Sequence, residues 1–189
     1  SWVHMQDKEG ATQKAKDLLR MAIANAGLLE SIERQHIPIR KRAVVVGGGL
    51  AGMTAALGFA EQGFEVTLIE REAELGGNMR HIHYTLSGDD PKVYLQELIN
   101  KVMAHPSLQV ITNAEVVDHE GIQGNFSTGV MIAPAMTYRK IEHGVTVLAT
   151  GGEEYKPQEY LYGEHPNCIT QMELEERIAS GELDAPTLG

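Results

Sequence analysis

Three different hydrophobic periods follow one another along the chain. Between about Thr12 and Arg34, apolar residues stand at Ala15, Leu18, Leu19, Ala22, Ile23, Ala26 and Leu29. Lys14, Lys16, Asp17, Arg20 and Asn25 fill the opposite positions, so the spacing predicts a helix with one apolar face. Gly27 weakens it locally, and Pro38 stops any continuation. Such a helix either packs on the domain that follows or offers a docking face to absent chain or a partner.

Ala43-Val44-Val45-Val46 is apolar without alternation, as expected of a parallel strand buried on both faces. Gly47 to Gly52 is a glycine-rich turn, and Met53 to Gln62 has helix-forming Ala and Leu up to Gly63. Phe64 to Glu70 reads as a second strand, completing one βαβ unit. Arg71 to Pro91 is irregular, Val93 to Ala104 has helical spacing, and Leu108 to Thr112 is a third strand. Glu115 to Lys140 is short-period, glycine-punctuated and β-prone, as in an antiparallel meander. Val145 to Ala149 is another buried-type strand, ending at Thr150-Gly151-Gly152. Thr170-Gln171-Met172-Glu173 is a capping box that starts a helix running to about Ala179. The expected organisation is an N-terminal helical extension over 1–39, an α/β domain over 40–152, and a tail with a short helix over 153–189.

Composition narrows the function. The 189 residues carry 16 Lys and Arg against 26 Asp and Glu, a net charge of −10. An acidic chain repels a phosphate polyanion and an anionic lipid surface, so neither nucleic acid nor membrane is the expected partner. With one cysteine, Cys168, the segment can form no internal disulfide, Cys-x-x-Cys pair or four-cysteine metal site. A reducing, cytoplasmic setting is expected, and no apolar run reaches membrane-spanning length. Position 1 is Ser rather than Met, and the chain reads as a piece of something longer.

The chemistry sits at the first strand's end. Gly47-Gly48-Gly49-Leu50-Ala51-Gly52 fits G-x-G-x-x-G in the context the motif requires, after a buried strand and at the start of a helix. Gly47 permits the tight turn, Gly49 lets the backbone approach a pyrophosphate, and Gly52 allows close helix–strand packing. The amides around Leu50 and Ala51 open the helix toward an anion. Glu70 ends the second strand, where a carboxylate accepts hydrogen bonds from adenosine ribose hydroxyls and repels a 2′-phosphate. Arg71, next to it, is the one residue that would favour that phosphate, and reads mainly as a solvated strand-end charge. These features indicate a dinucleotide without separating FAD from NAD. His81 and His83 stand two apart but lack a third ligand at a supporting spacing, so no metal site is expected. Cys168 is expected to be structural. No residue stands out as acid, base or nucleophile, and no hydrolytic constellation is present.

Two further words resemble known flavoproteins. Glu70-Arg71-Glu72-Ala73-Glu74-Leu75-Gly76-Gly77 is similar to the Glu-x5-Gly-Gly extension of FAD-binding domains of the glutathione reductase type. Thr146-Val147-Leu148-Ala149-Thr150-Gly151 resembles the Ala-Thr-Gly strand of the same superfamily. The resemblance implies FAD as cofactor in a three-layer Rossmann-type domain. Gly76 and Gly77 would then lie by the ribityl side, with Asn78 close by and Thr150 and Gly151 closing the pocket. A longer set of words resembles the flavoprotein subunit of heterodisulfide reductases: Ser1-Trp2-Val3-His4, Ala15-Lys16-Asp17-Leu18, Leu75-Gly76-Gly77-Asn78-Met79-Arg80, Glu142-His143-Gly144 and Ile169-Thr170-Gln171-Met172-Glu173-Leu174-Glu175.

That family passes electrons between FAD and several iron–sulfur clusters. The resemblance implies that this chain is the front half of its FAD module, with the cluster-binding cysteines outside it. A family domain of this type closes with a final strand and a Gly-Asp element, which this chain does not reach, so the segment alone is expected to be inactive. Implied partners are other subunits of a heterodisulfide reductase-like complex, with a homodimer also open. Two rivals remain: an NAD-binding domain using the same turn and Glu70, and a non-catalytic scaffold that docks subunits through the N-terminal helix.

Overall fold

The computed structural model describes residues 6–31 and 36–182. The chain divides into two compact units, Ser1–Ile37 and Pro38–Gly189. In the first, helix α1 spans Lys8–Gly27. Asp7 caps it by accepting a hydrogen bond from Gly10 N–H at 2.8 Å. The helix therefore starts four residues before the expected Thr12 and ends at Gly27, with Leu28 as its C-cap residue. Arg34, the expected far end, lies outside the described residues. None of α1's residues is buried, and Leu18, Leu19, Met21 and Ile23 are all more than half exposed.

The second unit is built on strand β1 (Arg42–Val46), helix α2 (Leu50–Glu61) and strand β2 (Glu65–Ile69). Helix α3 (Pro91–Ala104) and strand β3 (Leu108–Ile111) follow. Asp90 caps α3 by accepting from Lys92 N–H, and Pro91 takes the first helical position, where its missing N–H costs nothing. Next come β4 (Ala114–Ile122), β5 (Asn125–Ile132), β6 (Thr137–His143) and β7 (Val145–Leu148), then helix α4 (Gln171–Ala179). The first three strands and β7 form one parallel sheet in the order β3-β2-β1-β7, while β4-β5-β6 form a separate antiparallel sheet.

The unbroken apolar strands are explained by the two layers they separate. Ala43, Val45, Val66 and Leu68 face the helices, against Met53, Ala56 and Ala60 of α2 and Leu95, Leu98 and Val102 of α3. Val44, Ile69 and Ile111 face the other way, against Ala114, Val130 and Ile141. Successive strand residues point to opposite sides, so both faces must be apolar. The expected three-layer α/β architecture, with parallel sheet and meander, is the one observed.

The meander also holds a buried polar chain that the sequence did not suggest. His143 is fully buried; its Nδ1 lies 3.0 Å from Val145 O, and its Nε2 lies 2.7 Å from Thr128 Oγ1. A carbonyl can only accept, so Nδ1 carries the proton and Nε2 accepts from the threonine hydroxyl. Thr128 in turn accepts from His119 Nδ1–H at 2.9 Å. Among the described residues no helix is long and apolar enough to cross a membrane.

Candidate functional site: a glycine turn at the end of strand β1

Strand β1 stops because its next residue leaves extended geometry. Gly47 has φ +109°, and a Cβ there would stand 2.2 Å from Ala149 O at the end of β7. Only glycine permits that backbone at that distance. The turn is pinned by Gly47 N–H donating to Ile69 O at 2.8 Å, and β7 by Ala149 N–H donating to Val46 O at 2.8 Å. Gly52, one turn into α2, is closer still: its missing Cβ would meet Gly47 O at 1.8 Å. Gly49 is different. A Cβ on it would find no atom within 4 Å, and no side chain caps α2 above it. The first turn of α2, with exposed Leu50 and Ala51, thus presents a helix N-terminus to open space, which suits an anion.

Glu70 is 7% exposed and anchors the turn from the side. Its Oε2 accepts from Gly48 N–H at 2.5 Å and its Oε1 from Glu72 N–H at 2.8 Å. Each oxygen retains a further acceptor site, so the carboxylate is held in place and still able to accept from a ligand.

The second glycine pair folds onto the first. Gly76 N–H donates to Gly48 O at 2.8 Å, Gly49 and Gly76 form an isolated parallel bridge, and a Cβ on Gly77 would lie 3.3 Å from Gly49 Cα. Buried Leu75 sits beneath. Gly76 and Gly77 have φ +125° and +50°, and Gly77 opens a 3₁₀ turn, Gly77–His81. Asn78 Nδ2 donates to Gly152 O at 2.8 Å, tying that turn to the segment after β7, where Thr150 and Gly151 (φ +68°) are exposed. Arg71 pairs with Glu153 at 3.0 Å and with Glu72 at 3.3 Å. Its pKa is raised, first by the hydrogen bond to Glu153.

The residues proposed from sequence thus gather at the carboxyl ends of β1, β2 and β7, where open α/β sheets offer ligand crevices. Sequence reasoning missed Gly48, whose N–H donates to Glu70, and Glu153, which holds Arg71 from 82 positions away. It also missed Glu175 of α4, which accepts from His83 N–H at 2.6 Å and Tyr84 N–H at 3.2 Å. Only Gly48 had a signal, as a spacer inside the glycine motif.

Beside Asn78 and Glu153 opens a cavity of about 410 Å³, with His81, His83, Met172 and Glu176 among its walls. A larger one, about 710 Å³, lies between α3 and β3 over Leu95, Ile99, Met103 and Val110, and the glycine turn is not among its walls. Among the described residues, no three His, Cys, Asp or Glu side chains gather to hold a metal ion. Cys168 is a partly buried free thiol.

The chain is similar to several known proteins. Residues 45–97 match the NAD(P)-binding Rossmann-like domain family. A CoB–CoM heterodisulfide reductase iron-sulfur subunit of Methanopyrus kandleri is 44% identical over 135 residues, covering 71% of this chain and 21% of that protein. A subunit of the H(2):CoB-CoM heterodisulfide,ferredoxin reductase of Methanothermobacter marburgensis is 30% identical over 267 residues, covering 100% of this chain and 40% of that protein. Among solved structures, L-proline dehydrogenase from P. horikoshii superposes with a TM-score of 0.51 at 25% identity, covering 65% of this chain and 24% of that one. The chain spans from 21% to 40% of the length of the two heterodisulfide reductase relatives. Over a segment that contains the Rossmann-like nucleotide-binding turn, the chain thus resembles the heterodisulfide reductase subunits that these two relatives represent.

Proposed function

We propose that the chain binds FAD at the glycine turn. In this reading it serves as the flavin-binding portion of a heterodisulfide reductase-like oxidoreductase, which passes electrons between flavin and iron–sulfur centres elsewhere in a longer protein. The observation that carries the reading is the seating of the Gly76-Gly77 loop on Gly48 and Gly49, beside a fixed Glu70. A turn for NAD alone has no need of that second loop.

The open N-terminus of α2 would take the pyrophosphate, and Glu70 would accept from the adenosine ribose hydroxyls. Arg71, Gly76, Gly77, Asn78, Thr150 and Gly151 would border the rest of the cofactor. Bound flavin would supply the redox chemistry, with the protein contributing placement and electrostatics. The proposed partners are other subunits of a heterodisulfide reductase-like complex in the cytoplasm, or a second copy of the chain.

A second reading, NAD in place of FAD, is favoured by the description of the matching family and by Glu70, which serves either adenosine equally. A third, a subunit-docking scaffold, is favoured by the exposed apolar side chains of α1. Titration with FAD, NAD and NADP, followed by flavin fluorescence and thermal shift, separates them. Saturable FAD binding with little NAD response is expected, weakened by Glu70→Ala and by Gly49→Val. Failure of a cooperatively folded chain to bind FAD, repeated in a chain extended toward the relatives' length, would sink the proposal.

A further inference from the structure

The Arg71–Glu153 pair spans the site. Arg71 follows Glu70 directly, so its guanidinium is the cation nearest in sequence to the carboxylate that would hold the ribose. Glu153 lies five residues beyond the end of β7, and β1 runs between β2 and β7 in the sheet. The pair therefore joins the two flanks of the crevice over the end of β1. Asn78 and Gly152 make a parallel tie beside it. Among the described residues, Arg71's ionic partners are Glu153 and Glu72, both of which hold the guanidinium toward carboxylates.

We propose that Glu153 is a positioning residue for nucleotide specificity: it holds Arg71 away from the ribose 2′ position, so that the site takes an unphosphorylated adenosine ribose. The inference rests on the dinucleotide reading above. Without Glu153 the guanidinium keeps, among the described residues, only its longer contact to exposed Glu72, and can swing to a 2′-phosphate and offset the repulsion from Glu70. With Glu153 in place, that phosphate meets carboxylates and a guanidinium already engaged. Arg71 and Glu153 side chains are 61% and 82% exposed, so the clamp is a weak, solvent-screened one. The expected shift in preference is therefore small, about two- to fivefold.

Competition between 5′-ADP and 2′,5′-ADP tests the inference on the adenosine half of the site alone, with Kd values for both measured by calorimetry on the 189-residue chain. Wild type is expected to prefer 5′-ADP. Glu153→Gln should raise the relative affinity for 2′,5′-ADP about two- to fivefold, and adding Arg71→Ala in the same chain should remove that gain. A merely structural loss would weaken both nucleotides together and leave their ratio unmoved, which would overturn the inference. Glu72→Gln deletes the same charge while leaving the Arg71–Glu153 contact, so an equal shift from that variant also overturns it. If no variant binds 5′-ADP, the dinucleotide reading itself fails and this inference with it. If 5′-ADP binds but the ratio is insensitive to Glu153, only the inference fails.

Discussion

Adding one methyl group at Gly52 and, separately, at Gly49 should separate folding from binding at this site. Both glycines belong to the same motif, yet their surroundings differ. An alanine Cβ at position 52 would stand 1.8 Å from Gly47 O and 3.4 Å from Ala149 Cβ. The first distance is about 1.5 Å short of the ~3.3 Å at which carbon ordinarily meets a carbonyl oxygen. The opposing atom is backbone, fixed by the bond from Gly47 N–H to Ile69 O, so no flexible side chain can yield. Relief requires moving α2 off the sheet, at the upper end of the overpacking range, about 3 kcal/mol. For a domain of this size that lowers the Tm by about 6–12 °C.

At position 49 the added Cβ meets nothing within 4 Å, and the backbone at φ −75°, ψ −175° suits any residue. Gly49→Ala should cost only about 1 kcal/mol or less, through the poorer N-cap. Its methyl group would nevertheless occupy the ground a pyrophosphate needs. Urea unfolding followed by circular dichroism, with FAD titration in parallel, reads both effects. Gly52→Ala should lose stability first, and Gly49→Ala should lose binding while its unfolding midpoint stays near wild type. A Gly52→Ala chain within about 0.5 kcal/mol of wild type, the range of an ordinary surface substitution, would refute the close approach. Equal destabilisation by the two variants would refute the distinction.

Two further outcomes follow from the same structure. His143 has its pKa lowered from 6.5, first by burial, which outweighs the opposing hydrogen bond to Val145 O, with the nearby charges of His119 and Arg42 adding to the lowering. The folded state therefore disfavours the proton that the unfolded chain accepts, so this contribution is complete above about pH 6.5 and is lost as the pH falls below it. Urea unfolding between pH 8 and pH 5 should show the decline, and His143→Gln should flatten it; an unchanged slope would contradict the reading. Thr170→Ala removes the side-chain bond to Glu173 N–H from the α4 capping box, at about 1 kcal/mol. Because Glu175 on α4 holds the His83 and Tyr84 amides, hydrogen exchange at residues 83 and 84 should quicken about fivefold, in proportion to that loss.

Local structure was legible in the chain taken alone. The capping box of Thr170 and Glu173 reads correctly because donor and acceptor lie within one helical turn. Strand β1 is legible because two covering layers demand apolar residues on both its faces. The glycine motif is legible because backbone conformation and close approach each exclude a Cβ at a fixed spacing. The start of α1 was nonetheless misplaced, since a single aspartate cap, Asp7, decides where the helix begins.

Everything that joins distant positions had to wait for the tertiary structure. Glu70 meets Gly48 across 22 residues, His143 meets Thr128 across 15, and Arg71 meets Glu153 across 82. A carboxylate or an imidazole in the sequence carries no mark of which partner will face it. That choice is made by the order β3-β2-β1-β7 and by the parallel register, which bring the ends of β2 and β7 to either side of β1. Periodicity records only how a segment meets its own neighbours, whereas the site is assembled from loops that meet only after the sheet has closed around them.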